Sequence, residues 1–171
     1  MVIRVSEIPD DGLSIEGADR LPQPFRDHSW RLEELSLLVE RDDRDVVVRG
    51  RIAVSVPQVC GRCLERFPTR VAPEVQARFS PRPERGKEPI ELGSDDLELD
   101  FYSDDSLDLA QLVETEADLA LPMKPLCRAD CRGLCPTCGG NRNVVECDCA
   151  GRAPDPRFAV LKDLAGRLSG Q

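Results

Sequence analysis

The sequence predicts an α+β fold: an antiparallel β-sheet or partly open barrel, followed by a helix, a cysteine-rich zinc-binding segment and a C-terminal helix. Three observations predict it. Apolar residues alternate with polar ones between about residues 35 and 79, they recur at helical spacing after residue 107, and most of the cysteines lie between residues 127 and 149.

Residues 1–28 carry Pro9, Gly12, Gly17, Pro22 and Pro24 with little periodicity, so they read as an irregular lead-in with one short strand at Val2 to Val5. From Trp30 the pattern changes. Leu35, Leu37 and Val39 alternate with Ser36, Leu38 and Glu40; after the polar RDDRD comes VVVRGRIAVSV, with Val46, Val48, Ile52, Val54 and Val56 on one face. That is a β-hairpin. RVAPEVQARF places Val71, Val75, Ala77 and Phe79 on one side, with Pro73 marking an edge or a bulge, and three or four antiparallel strands make the sheet. PRPERGKEP and the acidic residues behind it read as a loop, and LELDFYS as one more short strand.

A helix is expected at residues 107–121, capped by Ser106 or Asp105, with Asp108 in its first turn and Leu109, Leu112, Val113, Ala117 and Ala120 as its apolar stripe before Pro122. A second is expected at 156–168, with Asp155 as cap and Phe158, Leu161, Leu164 and Leu168 inward. The organisation is a lead-in (1–28), a β-rich domain with acidic loop and helix (29–121), and a cysteine-rich segment with a closing helix (122–171).

The chain of 171 residues suits one domain with a core plus a small appendage held by something other than burial. MVIRVSEIPDDGLSIEG lacks a basic region leading into an apolar one, and no run approaches the ~20 apolar residues of a membrane span. The expectation is a soluble cytoplasmic protein with no membrane partner. The net charge of −9 is concentrated in residues 84–118, where only Arg85 and Lys87 oppose the carboxylates. The remainder is slightly basic, so a basic partner and RNA can be met by different parts of the chain.

In a reducing compartment clustered cysteines are metal ligands or catalytic thiols more often than disulfides. LCPTCGG has the form of a zinc knuckle: Cys135 and Cys138 aim two sulfurs at one point, and Gly139 and Gly140 allow the positive φ needed on leaving the turn. Its companion ligands stay open among Cys127 and Cys131, Cys147 and Cys149, and the distant Cys60 and Cys63. In an extended strand, residues two apart are ~7 Å from each other, which would let only one of Cys147 and Cys149 ligate unless the backbone folds inward. Eight thiols suffice for two sites without requiring them.

CGRC also has the spacing of a redox pair, but such a motif should leave a strand and open a helix, whereas this one joins two strand-like stretches. His28 is the sole histidine and reads as a surface residue beside Asp27. No GxSxG, phosphate-binding glycine loop or HExxH occurs, and SDDLELD lacks the glycine and final glutamate of an EF-hand loop. The sequence therefore points away from an enzyme.

CGRCLERF, the acidic stretch, LDLAQLVETEADLALPMKPLC, CRGLCPTCGGNRN, CDC and DPRFAVLKDL, in that order, resemble the YceD family of large ribosomal RNA subunit accumulation proteins. The resemblance spans about residues 35–164. Cys60, Cys63, Leu64 and Phe67 match its first signature; Leu121, Pro122, Cys127, Cys131, Gly133, Leu134, Cys135, Cys138, Gly139, Asn141, Asn143, Cys147 and Cys149 match its second. It implies a bacterial or plastid factor, without a known enzymatic activity, in the accumulation or maturation of large-subunit ribosomal RNA. Some similar proteins lack the second signature, which points to zinc as a structural element rather than the shared function. Residues 123–152 hold few apolar side chains, and a structural zinc, at ~10–16 kcal/mol of apparent binding free energy, would organise them. An RNA precursor or assembly particle would be met by Arg62, Arg66, Arg70, Arg142 and Arg152. The alternative is a zinc-ribbon adaptor that receives a basic ribosomal protein on the acidic face.

Overall fold

The longest alternating run becomes the centre of the sheet. β3 (Arg31–Asp42) and β4 (Asp45–Val59) pair antiparallel around a two-residue turn, with Val39 opposite Val48 and Arg41 opposite Val46. Their period-two pattern turns Leu35, Leu37, Val39, Val46, Val48, Ile52, Val54 and Val56 into the core, as the sequence predicts. Each such side chain contributes roughly 1.5–3 kcal/mol when fully buried. Gly50 lies where the strands approach most closely: a Cβ there would overlap the Ser36 carbonyl oxygen and come within 2.9 Å of the Leu37 Cα.

The computed structural model describes residues 1–83 and 99–149. Two compact units divide the chain: Met1–Gln58 with Arg66–Pro125, and Val59–Glu65 with Leu126–Gln171. The expected helix at 156–168, most of the acidic loop and Arg152 lie outside the described residues. Among the described residues the fold is α+β, mostly strands with one helix, and no helix is long and apolar enough to cross a membrane.

In the first unit β1 (Val2–Arg4) and β2 (Leu13–Glu16) come from the stretch read as a lead-in, and β5 (Arg66–Val71), β6 (Glu74–Pro81), β7 (Leu99–Tyr102) and β8 (Ser106–Asp108) complete the strands. The main sheet runs β2-β3-β4-β6-β7, with β5 also on β4. Pro73 breaks what the sequence reads as one strand into β5 and β6, because it has no N–H for the ladder; its carbonyl still accepts from the Ile52 amide at 3.3 Å. The sheet is not wholly antiparallel. β7 runs parallel to β6, with Phe79 beside Asp100, and residues 82–98 are long enough for the crossover of about a dozen residues that a parallel pair needs.

The first residues carry more structure than their sequence advertises. β2 pairs with β3, β1 pairs with β8, and Val5, Ile8, Ile15, Leu21 and Phe25 join the core. Prolines and glycines hide this pattern because each apolar residue is delivered from a separate turn rather than from one periodic run.

The helix α1 is Leu109–Leu119 and begins two residues later than expected. Ser106–Asp108 is taken by the ladder with Val2–Arg4, so the cap is Asp108, whose carboxylate accepts the Ala110 amide at 2.9 Å. Such a cap contributes ~1 kcal/mol. Asp105, expected as a cap, instead accepts the Ser6 amide at 2.9 Å; with Asp104 it forms the turn before β8, both at φ near +55°. Leu109, Leu112, Val113 and Ala117 are buried as the stripe predicts, and Ala120 packs against them.

Candidate metal centres

In the second unit two Cys-x-x-Cys turns share one backbone pattern. The Cys60 amide donates to the Glu65 carbonyl at 2.9 Å and the Leu64 amide to the Cys60 carbonyl at 3.0 Å; likewise the Cys135 amide donates to Gly140 at 2.8 Å and the Gly139 amide to Cys135 at 2.9 Å. The fifth residue of each turn is left-handed, Leu64 at φ 61° and Gly139 at φ 73°. The positive φ expected on leaving CPTCGG is found at Gly139 and not at Gly140, and the same turn forms in CGRCLE, although the latter has leucine at the position that favours glycine.

Eight thiols fall into two sets. Cys60, Cys63, Cys127 and Cys131 bring their sulfurs within 4.8 Å of one another, and so do Cys135, Cys138, Cys147 and Cys149. The Cys60–Cys131 and Cys63–Cys127 sulfurs are 3.8 and 3.7 Å apart. A disulfide needs about 2.05 Å. Sulfurs ~2.3 Å from a tetrahedral metal lie about 3.8 Å apart, so the donor set and its spacing fit a metal ion in each cluster. The partners of Cys127 and Cys131 are the distant Cys60 and Cys63, not the adjacent knuckle. Both Cys147 and Cys149 belong to the second set, because residues 145–149 are not a strand and the ~7 Å separation of an extended chain does not apply.

Backbone amides bring one sulfur of each knuckle well below the ordinary thiol range. Those of Cys127 and Cys63 bring the Cys60 thiol down to about 6, and those of Cys138 and Thr137 bring Cys135 down to about 6. Cys127 and Cys149 move the other way: burial, then the Cys63 sulfur, pushes Cys127 up to about 12, and the Cys138 sulfur pushes Cys149 up to about 12. Four thiols this close cannot all ionise against one another; a bound cation removes that conflict.

The two centres differ in shelter. Cys60, Cys63 and Cys131 are buried and Cys127 half-buried, whereas Cys138 and Cys149 are exposed. The first is also braced by groups whose role the sequence does not reveal. Asn143, from the loop between Cys138 and Cys147, donates its side-chain N–H to the Cys131 sulfur at 3.3 Å and to the Asn141 side-chain oxygen at 2.8 Å. Its own oxygen accepts the Arg132 amide and the Arg128 guanidinium, both at 2.8 Å. Asn141 in turn donates to Glu65 at 3.3 Å.

Of the arginines expected at a nucleic-acid surface, Arg62 donates to the Cys131 and Ala129 carbonyls at 3.0 and 3.4 Å and so ties the first knuckle to the segment carrying Cys131. Arg70 bridges Glu33 and Glu34 at 3.0 and 2.8 Å. Arg66 and Arg142 are exposed. On the helix, Glu114 accepts the Arg26 amide at 2.8 Å, burial and then Asp100 raise Glu116 above the ordinary carboxylate range, and Asp118 is exposed. His28 is exposed, as the sequence suggests.

Both clusters lie inside residues 48–165, which match the family model described as "Large ribosomal RNA subunit accumulation protein YceD". The chain belongs to the YceD family. An uncharacterized protein of Mycobacterium tuberculosis is 32% identical over 142 residues, covering 79% of this chain and 63% of the relative. One of Mycobacterium leprae is 31% identical over 130 residues, covering 76% and 58%. The chain thus spans less than two thirds of these relatives. No solved structure matches it.

Proposed function

We propose that this YceD-family protein is a non-enzymatic cytoplasmic factor that supports accumulation or maturation of large-subunit ribosomal RNA, with one structural zinc ion in each cysteine cluster. The observation that carries the reading is the use of all eight thiols in two four-sulfur sets. A tetrahedral metal held by four thiolates keeps no position for a substrate, which is the arrangement of an organising rather than a reacting metal. Soft thiolates at this spacing favour zinc, with iron as the other metal that four sulfurs suit.

The role in ribosomal RNA follows from the family's description. Of the expected arginines, Arg66 and Arg142 are those through which a precursor RNA or an assembly particle would be met, since Arg62 and Arg70, although also exposed, are engaged within the chain. The test is capture of the tagged full chain from a bacterial lysate, with and without nuclease, at rising salt. Large-subunit precursor RNA should co-purify, and both nuclease and salt should release it. Capture of a basic ribosomal protein that survives nuclease and depends on residues 84–98 would replace this reading with the adaptor. Elemental analysis of the same preparation should give two zinc per chain.

A further inference from the structure

Asn143 lies in the loop that connects the two halves of the second cluster, yet its side chain bonds to a ligand of the first. The loop is fixed at both ends by second-cluster cysteines, Cys138 before it and Cys147 after it. Within it the Val144 and Val145 amides both donate to the Asn141 carbonyl, at 3.0 and 2.9 Å, which closes the turn that presents Asn143. The orientation of the Asn143 amide group is set by its neighbours. Two N–H donors, from Arg132 and Arg128, occupy its oxygen, so its nitrogen faces the Cys131 sulfur.

An N–H donated to a ligating sulfur stabilises the thiolate and fixes its direction, and loss of such a partner typically weakens metal binding by ~10–100-fold. The burial of the two centres is unequal, with Cys60 and Cys131 enclosed and Cys138 and Cys149 open to solvent. Metal should therefore leave the second centre first.

We infer that Asn143 is a positioning residue that couples the two metal centres: metal in the exposed Cys135 cluster orders the 139–147 loop, which holds Asn143 on Cys131 and so slows loss of metal from the buried Cys60 cluster. The coupling is reciprocal. A filled first cluster fixes Cys131 and thereby favours the loop conformation that the second cluster needs. The inference rests on the two-metal reading above.

The test is metal release from the full chain to a chromophoric chelator, with metal content measured beforehand. The wild type should hold two metal ions and release them in a fast phase from the exposed centre and a slow phase from the buried one. Asn143→Asp keeps an oxygen for Arg128 and Arg132 but loses the N–H; it should still bind two ions, and its slow phase should quicken about tenfold. Asn143→Ala should do the same. Cys149→Ser should remove the fast phase and quicken the slow one. In the cobalt-loaded protein, Asn143→Asp should move the thiolate-to-metal charge-transfer band to lower energy, because an unbonded sulfur is the better electron donor. Glu146→Ala, exposed in the same loop, should change neither measurement. Two ions in the wild type, with a slow phase unchanged in both Asn143→Asp and Cys149→Ser, would overturn the coupling alone. A quickening by Glu146→Ala equal to that of Asn143→Asp would overturn the assignment to Asn143. A wild type that binds no metal would overturn the coupling together with the metal reading.

Discussion

Leu64 occupies in the first knuckle the backbone position that Gly139 occupies in the second: each follows its leading cysteine by four residues, lies at positive φ, and donates its amide to that cysteine's carbonyl. A left-handed conformation costs a side-chain-bearing residue roughly 1–2 kcal/mol. Leu64 is 62% exposed, so little burial offsets that cost. Leu64→Gly should therefore stabilise the metal-loaded protein by about 1 kcal/mol, read as a rise in denaturant midpoint. A fall would mean that the Leu64 side chain contributes packing.

Gly139→Ala makes the converse case. Nothing lies within 4 Å of a Cβ built there, so the substitution introduces backbone strain without a clash. It should cost about 1 kcal/mol and raise the rate at which metal leaves the second cluster. Unchanged release would show that the cluster does not depend on the shape of its turn.

Gly50→Ala is a different kind of change, because the added carbon meets the Ser36 carbonyl and the Leu37 Cα in the middle of the central hairpin. Neither is the mobile end of a side chain. The strands must separate, and a loss of roughly 2–4 kcal/mol is expected in urea unfolding. A loss below about 0.5 kcal/mol would mean that the close approach of β3 and β4 relaxes freely.

The parts of the molecule that the sequence discloses are those in which one local rule decides. Val46, Val48, Ile52, Val54 and Val56 declare a buried strand face by alternation, and Leu109, Leu112, Val113 and Ala117 declare a buried helix face by their spacing. The knuckle at Cys135 is equally local. What long-range pairing decides is not disclosed. Ser106–Asp108 reads as helix entry until Val2–Arg4 claims it as a strand, and Phe79 beside Asp100 is a parallel register that alternation alone does not distinguish. The grouping of Cys127 and Cys131 with Cys60 and Cys63 is of the same kind: it depends on Arg62, whose carbonyl takes the Leu134 amide while its guanidinium holds the Cys131 carbonyl. No spacing rule encodes the Asn143 bond to sulfur.

The unequal thiols set the pH dependence of metal binding. At neutral pH Cys60 and Cys135, near 6, are already ionised, whereas Cys127 and Cys149, near 12, are protonated, as are Cys63 and Cys147, which are also raised. Addition of zinc to the reduced, metal-free chain should therefore release fewer than four protons per ion, because each cluster already holds a thiolate, measured in weakly buffered solution with a pH indicator. Affinity falls as pH falls, and falls more steeply below about 6, where Cys60 and Cys135 also bind protons. Release of four protons per ion at pH 7 would show that the amides of the two knuckles do not hold those sulfurs as thiolates.

Arg66 and Arg70 separate contact with a partner from support of the fold. Arg70 bridges Glu33 and Glu34 beside the irregular step in the β3–β4 pairing, and Arg70→Glu should lower stability by about 1 kcal/mol through like-charge contact. Arg66 begins β5 with an exposed side chain, so Arg66→Glu should leave the unfolding midpoint unchanged. On the proposed role it should nevertheless lower large-subunit relative to small-subunit ribosomal RNA in cells that carry it at normal abundance, because a reversed charge repels phosphate where neutralisation favours it. Equal abundance of the protein with an unchanged RNA ratio would remove Arg66 from the contact surface. RNA capture by the purified variant would then be compared with that of Arg142→Glu, another exposed arginine of the expected set, whose loss of capture would place the contact on the second unit.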